Sequence, residues 1–477
     1  MIRLRPEAPK HGNKLGVVRW AGPLAFSIFF ATVIAAQFQL RDPGVRSGSV
    51  DAGQSLDLLY QTPGASSFFT DGQTRFQEID EVPNGLGPRF NTNQCSSCHS
   101  QPAVGGSSPS ATVYPFIGPN PETQVYNLAG AQNTLPSFIE PDGPVREARF
   151  KFFLTSSGSL SNNPDGGVHD LFVISGRSDA GSCAIRQPDF AHNLALNNVS
   201  FRIPTPTFGA GLIENISEET ILSNMRSNGF AKQSLGISGH VNRDGNDGMI
   251  SRFGWKAQNK SLEIFSGEAY NVEMGVTNEM FTNERASPDE ALRGGLPAAC
   301  KANPTPEDAT NMVAAQDYGV PGDVSQFAMF MRLLAPPTPS TTSPGGATSI
   351  AGGRQAFAAV GCALCHTPAL QTARSHIASG LNQVNANLFS DLLVHNMGNN
   401  LADGVSQGAA GPDEFRTAPL WGLGQRIFFL HDGRTSDLLN AIEQHASSGS
   451  EANGVIHNFN NLSPQQKQNL LNFLRSL

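Results

Sequence analysis

The sequence predicts a mainly α-helical protein with many loops, divided into two domains of unequal size. Three observations predict it. Charged residues make up only 15% of the 477, against about 25% in an average globular chain, while 49 glycines and 32 prolines exceed the ordinary share. That is the composition of a loop-rich but core-forming chain. Apolar residues that form a sustained pattern do so at helical spacing, over 218–228, 261–270, 324–334, 350–360 and after Ser463. Finally, the pattern C-x-x-C-H occurs twice, as Cys95-Ser-Ser-Cys-His99 and Cys362-Ala-Leu-Cys-His366, once on each side of a Pro/Ser/Thr/Gly stretch.

The chain opens with Arg3, Arg5, Lys10, Lys14 and Arg19, followed by an apolar run from Trp20 to Ala36. A basic start, an apolar run and a small-residue end describe a secretion signal. The run has 17 residues, so an uncleaved N-terminal membrane anchor is the alternative reading of 1–36. Either way the remainder is expected outside the cytoplasm, periplasmic or equivalent. The net charge of −8, with basic residues clustered only at the N-terminus, argues against a nucleic-acid partner.

From 48 to 335 short apolar runs are broken by Gly, Pro, Asn and Ser, as in Ser161-Asn-Asn-Pro-Asp-Gly-Gly167. Ala335-Pro-Pro-Thr-Pro-Ser-Thr-Thr-Ser-Pro-Gly-Gly346 reads as a linker, placed at 336–347. A smaller α-helical domain then runs over 348–477. Its last helix begins with Ser463 as cap and Pro464 at the first helical position, and Leu470, Leu471, Phe473, Leu474 and Leu477 supply its apolar face.

C-x-x-C-H is the attachment signature of c-type haem. Two thiols add across the vinyl groups of one porphyrin, and the adjacent histidine reaches the iron. From this composition roughly 0.002 such motifs are expected by chance, so two behind a secretion signal are not coincidence. A dithiol redox pair does not need the trailing histidine twice, and a zinc site lacks matching partner clusters. The reading is two covalently attached haems, on Cys95, Cys98 and Cys362, Cys365, with His99 and His366 as iron ligands. The fold class becomes mainly α with many loops, two c-type cytochrome-like haem domains, the N-terminal one enlarged by long insertions. The other two cysteines, Cys183 and Cys300, are read as a structural disulfide, with free reactive thiols as the alternative.

Around these motifs lie Phe357-Ala-Ala-Val-Gly-Cys-Ala-Leu-Cys-His-Thr-Pro368, Phe415-Arg-Thr-Ala-Pro-Leu-Trp-Gly-Leu423 and Leu430-His-Asp-Gly-Arg434. Upstream stand Asp165-Gly-Gly-Val-His169, Phe201-Arg-Ile-Pro-Thr-Pro206, Gly211-Leu-Ile-Glu214 and Arg252-Phe-Gly-Trp-Lys-Ala257. Together they resemble the di-haem oxidoreductase, "putative peroxidase", family, from about residue 50 to the end. That family in turn is similar to bacterial di-haem cytochrome c peroxidases. The resemblance implies that peroxide reacts at the N-terminal haem and electrons arrive at the C-terminal one.

The resemblance also carries three residue roles. A sixth ligand to the C-terminal haem follows an His-Asp-Gly element by a short helix, which maps onto His445 after His431-Asp-Gly433. Independently, Leu438, Ile442 and His445 share one helix stripe. His395 and Met397 are the competing ligands. A tryptophan between the haems maps onto Trp255. A distal glutamate in Tyr270-Asn-Val-Glu-Met-Gly275 maps onto Glu273, where a carboxylate would move a proton from one peroxide oxygen to the other.

Arg416 and Arg434 are candidates to pair with haem propionates, and His192 or His240 to cap the first haem. The oxygen-rich stretch Asn242-Arg-Asp-Gly-Asn-Asp-Gly-Met-Ile250 does not fit the EF-hand spacing and is read as a tight turn. Calcium remains a further expected ion, because the resemblance implies one between domains. The expected partners are hydrogen peroxide or a small organic substrate, and a small electron-donor protein or quinol-linked donor. The leading expectation is an extracytoplasmic peroxidase-like oxidoreductase. The alternatives are an oxygenase or oxidase of an organic substrate, and a pure electron-transfer di-haem cytochrome.

Overall fold

In the computed structural model, the described residues are 39–46, 51–56, 65–87, 92–109, 136–165, 169–170, 180–183, 188–283, 296–300, 322–376 and 378–477. The candidate signal or anchor, 1–36, lies outside them. Leu40–Leu477 forms one compact unit.

The helices form where the apolar spacing places them. Leu262–Met274 is capped by the Ser261 hydroxyl, which accepts from the Ile264 amide at 3.3 Å, and it ends at Gly275 in the left-handed conformation. Asp323–Leu333 packs against both it and the helix Ala65–Phe76. Pro464–Ser476 carries a full capping box between Ser463 and Gln466. It lies along Gly346–Val360, and the helices come so close that any side chain at Gly353 would collide with the Asn469 carbonyl.

Strands are short. Among the described residues, the one sheet of three strands, all antiparallel, places Glu147–Phe150 between His169–Asp170 and Val199–Arg202, with Glu147 opposite Arg202. Two-stranded pairs include Asn242–Arg243 with Ile250–Ser251 and Val394–Asn396 with Glu414–Arg416. The molecule is thus mostly helical with loops and small sheets. Cys183 and Cys300 are joined as a disulfide.

Two main apolar clusters organise the interior. One gathers Phe76, Ile221, Leu262, Tyr270, Phe327 and Phe330, and extends to Leu370, Leu388 and Trp421 from beyond the Pro-rich stretch. The other gathers Phe357, Phe389, Leu438, Val455, Phe459, Leu471 and Phe473. The stretch read as a linker is tied down along its length: Ala335 donates to the Gln54 carbonyl, Thr338 to that of Asp51 and Ser340 to that of Ser476. The oxygen-rich stretch is a hairpin turn. Its Asp244 and Asp247 carboxylates close onto the backbone amides of Asn246 and Met249 and onto Lys260, which supplies the cation there.

Candidate functional site

Each C-x-x-C-H motif opens onto its own cavity. The first is lined by Cys95, His99, Glu147, Arg149, Trp255 and Glu273, with Phe76, Phe265, Tyr270 and Phe327 around them. The second is lined by Cys362, Cys365, His366, His445, Arg416 and Arg426 within an apolar wall that includes Phe357, Leu438, Val455 and Leu470. Trp255 lines both.

All three histidines read as iron ligands are oriented alike. Nδ1 of His99 donates to the Gly106 carbonyl at 3.1 Å, Nδ1 of His366 to that of Phe389 at 3.0 Å, and Nδ1 of His445 to that of Ala441 at 2.8 Å. A carbonyl can only accept, so each bond places the proton on Nδ1 and the lone pair on Nε2. Metal-ligating histidines are held in this way. Burial lowers the pKa of all three, that of His366 to about 4 with His445 adding to the effect. Neutral imidazole is the ligating form. The helix Leu438–Glu443 closes two residues before His445, earlier than the stripe predicts, yet Leu438, Ile442 and His445 all reach the second cavity.

Of the competing ligands, Met397 lines the same cavity. His395 lines it too, but both ring nitrogens are taken: Nε2 by Asp391 at 3.0 Å and Nδ1 by Glu451 at 2.7 Å. It stands as a clamped imidazolium with no nitrogen for a metal. His192 is bound to the Gly158 carbonyl and His240 to Glu414, and neither lines the first cavity.

Do these residues fit a haem? Two observations say that they do. Burial pushes the Cys362 thiol up to about 12 and raises that of Cys95, so both thiols are held neutral at the cavity walls, where covalent attachment would consume them. The second observation is a pair of arginines. Burial pulls Arg416 and Arg426 down to about 10, the two repel each other, and neither forms an ion pair among the described residues. Their hydrogen bonds go to the Gly254, Thr417 and Pro419 carbonyls. Two cations facing an apolar cavity suit a flat apolar ligand with two carboxylates, which describes haem. Arg434 is engaged with Asp432 and is not among the lining residues. Arg426, which the sequence reading did not name, lines the cavity instead, and nothing in the local sequence marks it.

The profile of the family described as "Di-haem oxidoreductase, putative peroxidase" matches residues 156–477. The chain belongs to this di-haem oxidoreductase family. No curated protein sequence matches it significantly. The matched stretch holds the second motif, Trp255, Glu273 and His445, while the first motif lies upstream of it.

In this family member Trp255 sits on a turn between the two cavities. Its indole donates to the Ile203 carbonyl at 2.9 Å, and the Ile203 amide donates to the His431 carbonyl at 2.7 Å. The Trp255 carbonyl accepts from the Arg416 amide at 2.8 Å. His431 stacks on Phe415 and meets Trp255 edge-on. Beneath the turn Lys256 is fully buried against Asp403, which also holds Arg202 at 2.7 Å. These bonds fix the ring from three separate segments.

Glu273 projects from Leu262–Met274 into the first cavity, whose wall it shares with Glu147. Its pKa is raised well above the usual carboxyl range, chiefly by burial and then by Glu147. Glu147 is itself held by Arg149 at 2.8 Å. The sequence reading missed Glu147 and Arg149. The signal was present in Glu147-Ala-Arg149, because alternate residues of a strand share one face.

Proposed function

We propose that this di-haem oxidoreductase is an extracytoplasmic peroxidase, with haem attached covalently at both motifs. Peroxide reacts in the N-terminal cavity, and electrons arrive through the C-terminal one from a small protein or quinol-linked donor. The observation that carries the reading is the asymmetry of the cavities on either side of Trp255. One presents carboxyl groups beside His99; the other presents a second histidine, His445, facing the same space as His366.

A haem iron, when bound, supplies one-electron redox chemistry and a position at which a peroxide oxygen can coordinate. Reducing hydrogen peroxide to two waters takes two electrons and two protons. The chain's own residues supply the proton handling. Glu273 stands in the first cavity as a protonated carboxyl and can give its proton to a leaving oxygen, a contribution of about 10²–10⁴ in rate for a well-placed acid. His99, His366 and His445 hold Nε2 ready, each locked by its carbonyl. His445 would give a haem in the C-terminal cavity a second histidine beside His366, which suits electron transfer rather than substrate binding. Trp255 is the aromatic bridge between the two. The two cavities are proposed as two cytochrome c-like haem domains.

The test is turnover of hydrogen peroxide by holoprotein with a reduced small electron donor. Peroxide-dependent oxidation of the donor, with cyanide perturbing one haem only, is the expected result. Two low-spin haems that ignore peroxide and cyanide would make the chain an electron carrier. Oxygen-dependent turnover of an organic compound without peroxide would make it an oxidase.

A further inference from the structure

Asp403 is buried and meets two cations that are buried as deeply, Arg202 and Lys256. Its Oδ2 accepts from Arg202 Nη2 at 2.7 Å and from Arg202 Nε at 3.2 Å. Its Oδ1 meets Lys256 Nζ at 3.1 Å and accepts from the Val405 amide at 3.0 Å. Lys256 Nζ also donates to the Gly411 and Glu414 carbonyls, at 2.8 and 2.7 Å. Three acceptors around one nitrogen call for three N–H donors, which only the ammonium form has. Two cations thus share one anion. The neighbouring acids are engaged elsewhere: Glu147 with Arg149, Glu414 with His240, and Asp413 with the Asn396 amide. The junction therefore carries one positive charge in excess, shielded from water.

Its place in the fold gives this charge a use. Arg202 precedes Ile203, whose carbonyl accepts the Trp255 indole N–H at 2.9 Å, and Lys256 follows Trp255. Asp403 thus grips the chain on both sides of that bond, at the residue before the acceptor and the residue after the donor. Arg202 also lines the first cavity. Lys256 Nζ sits 4.0 Å from the centre of the Phe415 ring, and Phe415 lines the second cavity. Buried Asn242 closes the arrangement. Its amide donates to the Lys256 and Gln407 carbonyls at 2.9 and 2.8 Å, and the Gln407 side chain accepts from Arg202 Nη1 at 2.7 Å. Buried ionic clusters often give no more stability than apolar side chains of the same volume, so stability alone does not account for this one.

We propose that Asp403 is the positioning residue of the path between the two cavities, fixing Trp255 through Lys256 and Arg202, and that the excess positive charge of this junction favours an electron in either cavity. The proposal rests on the reading of Trp255 as the bridge between two haem sites, and not on peroxide as the substrate. A buried positive charge attracts an electron with little screening. It favours the reduced state of a redox centre on either side, and it opposes removal of an electron from the Trp255 indole. The bridge thus conducts without being oxidised itself.

The test is a redox titration of the holoprotein, with the two haem spectra followed separately, together with stopped-flow transfer between them. Lys256→Met leaves Arg202 and Asp403 as a neutral pair, and both midpoint potentials should fall. Asp403→Asn leaves two unbalanced cations, so both potentials should rise, and the released Trp255 turn should slow transfer on the order of tenfold. The double variant has Arg202 as its one excess charge, as wild type has one. Its potentials should return toward wild type while transfer stays slow, which separates charge from shape. Potentials that do not move in opposite directions in the two single variants overturn the proposal, as does transfer at the wild-type rate in Asp403→Asn. If Asp403→Asn does not fold, Lys256→Met and the double variant decide it, and potentials equal to wild type in both overturn it. A wild type that ignores peroxide overturns the peroxidase reading instead, and the potentials still decide the junction.

Discussion

The imidazoles of His366 and His445 look into one cavity, each with Nδ1 locked to a backbone carbonyl, and His445 adds to the burial that brings His366 down to about 4. Two neutral imidazoles facing one apolar space would suit a six-coordinate haem, the role proposed for His445. His445→Ala is therefore expected to turn the C-terminal haem high-spin and leave the N-terminal spectrum unchanged. Electron paramagnetic resonance of the oxidised protein reads both sites together. If neither signal changes, Met397, on the same cavity wall, becomes the ligand.

Covalent attachment has a direct readout. Mass spectrometry of the denatured holoprotein should show two haem additions that resist acid-acetone extraction. Replacing Cys362 and Cys365 together should remove one and keep the other. A single addition in wild type would remove one of the two motifs from the reading.

The clamp at His395 predicts a pH dependence of stability. Burial opposes the charge on His395, but Asp391 outweighs it and the pKa is raised well above 6.5. Burial likewise opposes the charge on Glu451, but His395 and the Ser238 amide bring it down to about 2. The histidine's contribution is complete below its unfolded value near 6.5 and is lost as pH rises through the folded value. The glutamate's is complete above 4.5 and is lost as pH falls toward about 2. This contact is thus strongest between about pH 4.5 and 6.5. Denaturant midpoints measured across pH should fall on the alkaline side in wild type, and His395→Gln should flatten that limb. An identical alkaline limb in the variant excludes His395 as its source.

Asp42, six residues past the candidate signal, reaches the C-terminal helix. It binds the Arg475 guanidinium at 2.5 Å, and it accepts from the Leu438 amide at the start of the helix leading to His445. Arg475 is 1% exposed. Asp42→Asn leaves that cation buried without its anion, and a loss of about 3 kcal/mol is expected by chemical denaturation. A loss below about 1 kcal/mol would mean that the Arg426 carbonyl and the Phe429 ring suffice for Arg475.

Trp255→Phe keeps an aromatic ring but removes the donor to the Ile203 carbonyl, at a cost of about 1 kcal/mol. Electron transfer between the two haems should slow, with both spectra intact. Stopped-flow reduction by a donor, followed at each haem separately, measures this. Unchanged transfer would leave Trp255 a packing residue only.

The residues that chemistry marks locally were legible in the chain itself. C-x-x-C-H is readable because both thiols and the histidine must meet one porphyrin from a single turn. Ser463-Pro464 is readable because a helix start needs its cap within three residues. The stripe of Leu438, Ile442 and His445 is readable because helical spacing is periodic. What only the tertiary structure decided are the meetings across distance. Glu147 and Glu273 come from a strand and a helix over a hundred positions apart. Arg426 carries no local mark, and Arg416 is one of two propionate candidates, until both appear without an ion pair at one apolar cavity. His395 competes with His445 as an iron ligand until Asp391 and Glu451 occupy both its nitrogens. In each case the deciding quantity is the electrostatic environment of a buried group. That environment is set by whichever segments pack against it, and local sequence carries no record of them.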